Sequence, residues 1–225
     1  MRKLRILITA GVVMALCGFT AAATLANFTA ETTNPTNKFA TGTLVLSNTK
    51  TGGAGACLST GGGSTDTNVN SACDTLFNLT VKKPGDSGSA QLTVQNVGSL
   101  AASAIKLYSS ACTDAETTGE SYHGTGSPCG NVQLYIQQWT SNTFATPSTC
   151  IYGGGTASTC AYTAAKTLGD FATNYGSAGS AITVGSGLAA TASGYFTIAV
   201  QMATTAGNTL QGRSAATDFT WHLDQ

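Results

Sequence analysis

The chain has 225 residues, 42% hydrophobic and only 9% charged, and its ten basic and ten acidic side chains give a formal net charge of zero. So sparse a charge excludes the basic footprint that nucleic acid or anionic lipid requires, and the length suits one sizeable core better than two. Surface polarity must come from Thr, Ser, Asn and Gln.

At the amino terminus Arg2, Lys3 and Arg5 precede an apolar run from Ile6 to Phe19 and a small-residue tract at 20–26, the order of a secretory signal peptide. The run is shorter than the roughly 20 residues that span a bilayer, and Gly11 and Gly18 weaken it further. Cleavage is expected after Ala26, where Thr24-Leu25-Ala26 puts small side chains at the recognition positions, with Ala21-Ala22-Ala23 as a second site. Leu16 stands before Cys17 where lipoprotein processing wants a small residue, so no lipid anchor is expected. The expected organisation is a signal peptide at 1–26, an amino-terminal segment at 27–37 and a single domain at 38–225. The mature chain then holds seven basic against ten acidic residues, a net charge near −3. It is read as secreted, extracellular or at the cell surface, with no stable membrane insertion and no nucleic-acid partner.

Downstream, strict alternation of apolar and polar residues recurs and helical periodicity is nearly absent, which is the mark of an all-β chain. Phe77, Leu79 and Val81 alternate with Asn78 and Thr80, and Ala90, Leu92 and Val94 alternate with Gln91, Thr93 and Gln95. The two runs read as a hairpin across Lys83-Pro84-Gly85-Asp86-Ser87-Gly88, where proline fixes φ and glycine tolerates a reversal. Asn96-Val97-Gly98-Ser99 makes the next turn, followed by a strand at Ile105 and Leu107. Val132, Leu134 and Ile136 face away from Gln133, Tyr135 and Gln137. Residues 161–171 alone offer a short helix, with Gly169 working against it. Phe196, Ile198, Val200 and Met202 then alternate with Thr197, Ala199 and Gln201, and Phe219, Trp221 and Leu223 with Asp218, Thr220 and His222. Strand length and turn spacing favour a jelly-roll-like β-sandwich over a closed barrel.

Cys17 leaves with the signal peptide, and the remaining Cys57, Cys73, Cys112, Cys129, Cys150 and Cys160 form an even set in an exported chain. Sequence alone does not fix their connectivity. They fall as three close pairs beside Gly-, Ser- and Thr-rich tracts, so local bridges Cys57–Cys73, Cys112–Cys129 and Cys150–Cys160 are expected. Zinc is disfavoured because no pair has the short spacing of a thiolate site.

Chemistry is sparsely signalled. His123 and His222 stand outside any H-E-x-x-H arrangement. Asp114, Glu116, Glu120 and His123 could surround a cation, but they share a polar loop and read as a solvated cluster. Gly85-Asp86-Ser87-Gly88 matches the surroundings of a protease serine, yet both histidines follow Ser87, the wrong order for that class. It reads as a turn. Phosphate-binding glycine motifs are absent, so no catalytic residue, cofactor or metal is assigned. A glycan site would need exposed aromatics, for which Trp139, Tyr135, Tyr122 and Tyr152 are candidates, whereas Trp221 reads as core.

Four stretches in order carry a family resemblance. Asn27-Phe28-Thr29-Ala30 leads into Asn37-Lys38-Phe39-Ala40-Thr41-Gly42-Thr43-Leu44-Val45-Leu46-Ser47; Lys83-Pro84-Gly85-Asp86-Ser87 is followed by Leu92-Thr93-Val94-Gln95-Asn96-Val97-Gly98-Ser99-Leu100; and Gly207-Asn208, Gln211-Gly212, Phe219-Thr220-Trp221 and Gln225 close the chain. Together they resemble the TasA and camelysin (CalY) family, while residues 111–187 match no part of it. The resemblance implies a jelly-roll subunit of an extracellular filament, in a biofilm matrix or a pilus-like fibre. Its partner would be its own kind, with cell-surface or matrix components alongside. Assembly would be by donor-strand complementation through 27–37, with Asn27, Phe28, Thr29 and Ala30 leading and Phe28 the one large apolar side chain. Camelysins are also described as cell-surface metalloproteases, which makes proteolysis the rival implication and a glycan-binding surface module a third.

Overall fold

The computed structural model describes residues 38, 40–62, 68–79, 83–156 and 158–225. Packing divides the chain into Met1–Ala40 and Thr41–Gln225. In the first, the described Lys38 and Ala40 are exposed. The expected signal peptide and the segment 27–37 lie outside the described residues.

The second unit is an antiparallel β-sandwich. Its strands are β1 (Leu46–Lys50), β2 (Ala56–Leu58), β3 (Ser87–Asn96), β4 (Ala104–Ser109), β5 (Thr113–Glu116), β6 (Val132–Trp139), β7 (Pro147–Tyr152), β8 (Gly154–Thr156), β9 (Thr159–Ala161), β10 (Ile182–Ser186), β11 (Ser193–Met202), β12 (Arg213–Ala216) and β13 (Phe219–Asp224). Among the described residues, one α-helix, α1 (Leu168–Asn174), joins them. A six-stranded sheet runs β2-β1-β3-β11-β6-β7 and a three-stranded sheet runs β10-β4-β13, with the ribbons β12-β5 and β8-β9 beside them.

The alternating positions do the packing. Leu92, Val94, Leu134, Ile136, Phe196 and Ile198 of the larger sheet and Ile105 and Leu107 of the smaller are at most 1% exposed. Trp221, as expected, lies in the core at 6% exposure, its ring 4.9 Å from Phe196 across the two layers. Burial of each such side chain stabilises the fold by about 1.5–3 kcal/mol.

Two expectations need correcting. The hairpin across residues 83–88 is not made by the described residues: 76–79 carry no strand, Leu79 is exposed, and β3 pairs instead with β1 and β11. The turn itself survives as the entry to β3, closed by the Asp86 amide donating to the Lys83 carbonyl at 3.0 Å. Leu76 and Phe77 still pack against the core, so their apolar pattern records burial without pairing. Helix α1 begins at residue 168, because the Thr167 hydroxyl caps it by accepting from the Asp170 amide at 3.1 Å. Gly169 fits there on packing grounds: its amide donates to the Cys129 carbonyl at 2.8 Å, and a Cβ would sit 3.1 Å from that oxygen.

The turn at residues 96–99 forms around a fully buried Asn96. Its Nδ2 donates to the Leu100 and Leu188 carbonyls at 2.7 and 3.1 Å, and its Oδ1 accepts from the Gly98 amide at 3.0 Å. A Cβ on Gly98 would stand 2.3 Å from the Thr43 carbonyl, so this turn docks closely on the approach to β1.

The three disulfides are Cys57–Cys73, Cys112–Cys129 and Cys150–Cys160. They place the chain in an oxidising, non-cytoplasmic environment. Among the described residues, no helix is long and apolar enough to cross a membrane.

A polar node sits beside this core. Tyr152 is 4% exposed, its hydroxyl donates to Asp170 at 2.5 Å, and its ring meets Phe171 edge-on at 5.1 Å. Burial, then the hydrogen bond to Asp170, raises its phenol well above the ordinary value of 10.0, and burial with the neighbouring Tyr135 pushes Tyr162 up to about 12. A raised folded-state value means that this stabilisation is fully present below the unfolded value and is lost as pH rises from there through the folded one, because the unfolded chain releases its protons first. Stability should therefore hold up to pH 10.0 and then fall. Urea midpoints at stepped pH should show that decline, with a smaller slope in Tyr152→Phe; an equal slope would remove Tyr152 as its source.

Candidate functional site

The polar loop residues are brought into structural pairings and not onto one centre. Asp114 Oδ1 accepts from the Cys129 amide at 2.8 Å, Glu116 faces Arg213 at 3.8 Å across the β5-β12 ribbon, and His123 Nδ1 lies 2.8 Å from the Gly212 carbonyl. Glu120 is exposed. Among the described residues, no three His, Cys, Asp or Glu side chains gather as a metal site would require. Residues 113–116, read from sequence as loop, form β5, and their partner β12 lies about a hundred positions on, which no local pattern discloses.

His222 points outward on β13 and meets Asp224 at 2.9 Å, while Lys106 meets the other oxygen of Asp224 at 2.5 Å. The Lys106 hydrogen bond, ahead of the charges of Lys106 and His222, holds the Asp224 carboxyl below its usual value. Ser87 opens β3 opposite Gln201 and is exposed. It occupies the turn exit, as expected.

Two features remain as candidates for function. The first is a strand edge. Every sheet edge exposes unpaired backbone groups unless something blunts it. At the larger sheet's edges, β2 has only three residues and is tied through Cys57, and β7 begins with Pro147 and is bridged to β9 through Cys150–Cys160. At the smaller sheet's edges, β10 breaks register between Thr183 and Gly185, whereas β13 is six residues long, in unbroken register, and paired with β4 alone among the described residues. Of these four edges it is the one left unguarded among the described residues. Among the described residues, buried Trp221 Nε1 on β13 and Asn48 Oδ1 on β1, a strand that lies against β13, have no hydrogen-bond partner.

The second is the outer face of the larger sheet. Of the aromatic candidates, Tyr152 belongs to the core, Tyr122 is exposed in a loop with no ring contact among the described residues, and Tyr135 is covered by Tyr162 at 4.9 Å. Gln137 was expected outward and is so placed, yet it is 3% exposed, because the Cys150–Cys160 hairpin covers it and the Cys160 amide donates to its Oε1 at 3.0 Å. Trp139 remains on open surface, joined there by Tyr195 and Phe144. Extending the β11 alternation one step toward its start would have found Tyr195. Phe144 lies in the β6–β7 connection, where no periodicity operates. The proposed assembly residues Asn27, Phe28, Thr29 and Ala30 lie outside the described residues. No family model matches this chain, and no curated protein matches its sequence.

Proposed function

We propose that this chain is a secreted, non-enzymatic structural subunit of an extracellular filament, with further copies of itself as partner. The observation that carries the reading is the β13 edge, paired on one side alone among the described residues and next to two buried polar atoms that lack partners among those residues. An added strand satisfies such an edge through main-chain hydrogen bonds, while its alternate side chains fill pockets. The resemblance of the chain's ends and of residues 83–100 to the TasA and camelysin family supports the same reading, and names residues 27–37 as the strand that one copy donates to the next. The disulfides suit a subunit that must persist outside the cell.

Deleting residues 27–37 from the mature protein should leave the sandwich folded, by circular dichroism, and abolish filaments in negative-stain micrographs. Phe28→Ala should weaken each junction by about 3 kcal/mol if its ring fills a dry pocket. His123→Ala with His222→Ala should leave assembly unchanged. Filaments from the truncated protein would overturn donor-strand exchange, and a peptidase activity lost in the histidine variants would replace this reading with the metalloprotease one.

A further inference from the structure

The six strands of the larger sheet contain one charged residue, Lys50, which pairs opposite core Leu92 and whose Nζ donates to the Thr75 carbonyl at 2.6 Å. The outward positions of its strands are therefore uncharged. That is unlike the outer face of the smaller sheet, where Lys106, His222 and Asp224 cluster.

On the uncharged face the ladder sets Trp139 opposite Tyr195, Tyr195 opposite Thr93, and Thr93 opposite Thr49. At the usual strand spacing this row is about 14 Å long. Gln91 flanks it on the same face of β3. Phe144 folds back from the β6–β7 connection and meets Trp139 and Tyr195 edge-on, with centroids 6.2 and 6.4 Å away. It does so at φ 50°, a left-handed conformation that a bulky residue holds only where its surroundings impose it. Trp139 Nε1 donates to Thr197 Oγ1 at 2.8 Å, which fixes the indole. All three rings keep exposed surface. Among the described residues, the side chains of Thr49, Gln91 and Thr93 make no hydrogen bond to the rest of the chain. Fixed aromatic rings thus adjoin a line of unspent hydroxyl and amide groups.

We propose that this face binds a neutral, β-linked polysaccharide, laid across the strands from Trp139 and Tyr195 toward Thr49. The flat C–H faces of pyranose rings stack on aromatic rings, and the equatorial hydroxyls at their edges exchange hydrogen bonds with amides and hydroxyls. With no cation at the outward positions of these strands, they offer no partner for uronate, sulfate or phosphate groups. The open, flat shape suits an extended ribbon-like polymer and gives no enclosure for a single sugar. This site goes beyond the filament reading and does not depend on it, since one subunit supplies every residue.

The test is depletion of the mature protein, in its monomeric fraction, by amorphous cellulose and by chitin, and retardation in gels containing soluble mixed-linkage β-glucan. Alginate and duplex DNA serve as anionic comparators. Retention by at least one neutral polymer is expected, insensitive to salt. Tyr195→Ala should lower affinity about tenfold or more, Gln91→Ala should lower it less, and Thr220→Ala on the smaller sheet should leave it unchanged. Trp139 also braces Thr197, so Tyr195→Ala and Gln91→Ala, each with a native circular dichroism spectrum, decide the matter. No retention by any neutral polymer would overturn the proposal. So would retention undiminished in both variants, or retention only by the anionic polymers and abolished by salt. Each readout uses monomer, so failure here is distinct from failure to polymerise.

Discussion

Phe196→Ala should destabilise the folded sandwich by about 3–5 kcal/mol. Phe196 is fully buried on β11, which lies between β3 and β6, and its ring spans the gap to Trp221 on β13. Gly194, two residues earlier on the same face, leaves the space the ring uses: a Cβ there would stand 2.9 Å from the Phe196 ring and 3.0 Å from Ile105 Cδ1. Truncation therefore opens a cavity whose walls are backbone and two hydrogen-bonded sheets, which cannot close over it cheaply. Urea unfolding should show a lower midpoint at an unchanged slope. Tyr195→Ala, the adjacent residue on the outer face, should cost much less. A loss below about 1.5 kcal/mol at Phe196 would mean that the two sheets can approach and refill the gap.

The strands that proved legible in the sequence are those with one buried face. In β3, β4, β6, β11 and β13 a period of two locates the core. The expected inward Leu92, Val94, Ile105, Leu107, Leu134, Ile136, Phe196, Ile198, Val200, Trp221 and Leu223 are buried, whereas the expected inward Val132, Met202 and Phe219 are half-buried and the expected outward Gln137, Thr197 and Ala199 are covered. Pairing was less legible, because a period of two says which face is buried and nothing about the neighbour. β3 lies between β1 and β11, and β11 comes about a hundred residues later, so the nearer run at residues 77–81 was the natural but mistaken partner. The short strands β2, β5, β8, β9 and β12 were not legible, since they lie in Gly-, Ser- and Thr-rich tracts with few buried positions. Four of these five, β2, β5, β8 and β9, sit at or inside a disulfide loop, where covalent closure stands in for apolar alternation.

The candidate sites divide in the same way. Trp139 was visible as an aromatic at the end of an alternating run, and Tyr195 follows the same rule. Phe144 reaches them only through the fold of a connection. The openness of the β13 edge is a property of sheet order and cannot be read from Phe219–Asp224, whose pattern would suit a central strand equally well.

Removing the Cys112–Cys129 bridge should be the most costly of the three cysteine losses, at about 3 kcal/mol from loop closure with further loss from packing. Closure alone barely separates the bridges, because their spacings of 16, 17 and 10 residues enter only logarithmically. Surroundings decide the order. Cys129 is 7% exposed, its amide is held by Asp114 and its carbonyl accepts from Gly169, while Cys112 packs against the core. This bridge thus fastens the β5 side of the fold to the start of α1, which carries Phe171 into the centre of the aromatic cluster with Tyr152, Tyr175 and Phe219. Loosening it should free both. Cys57 and Cys73 are half-buried, and their pair holds residues 68–79 to β2. Cys150–Cys160 closes the shortest loop and covers Gln137 on the outer face, away from the apolar core. Paired Cys→Ala variants, unfolded in urea under non-reducing conditions, should therefore rank 112–129 as the worst, 57–73 next and 150–160 the mildest. Equal losses would show that chain entropy dominates and that the packing around Cys129 adds nothing; a larger loss for 150–160 would mean that the outer face, with Gln137 uncovered, matters more to the fold than the anchoring of α1.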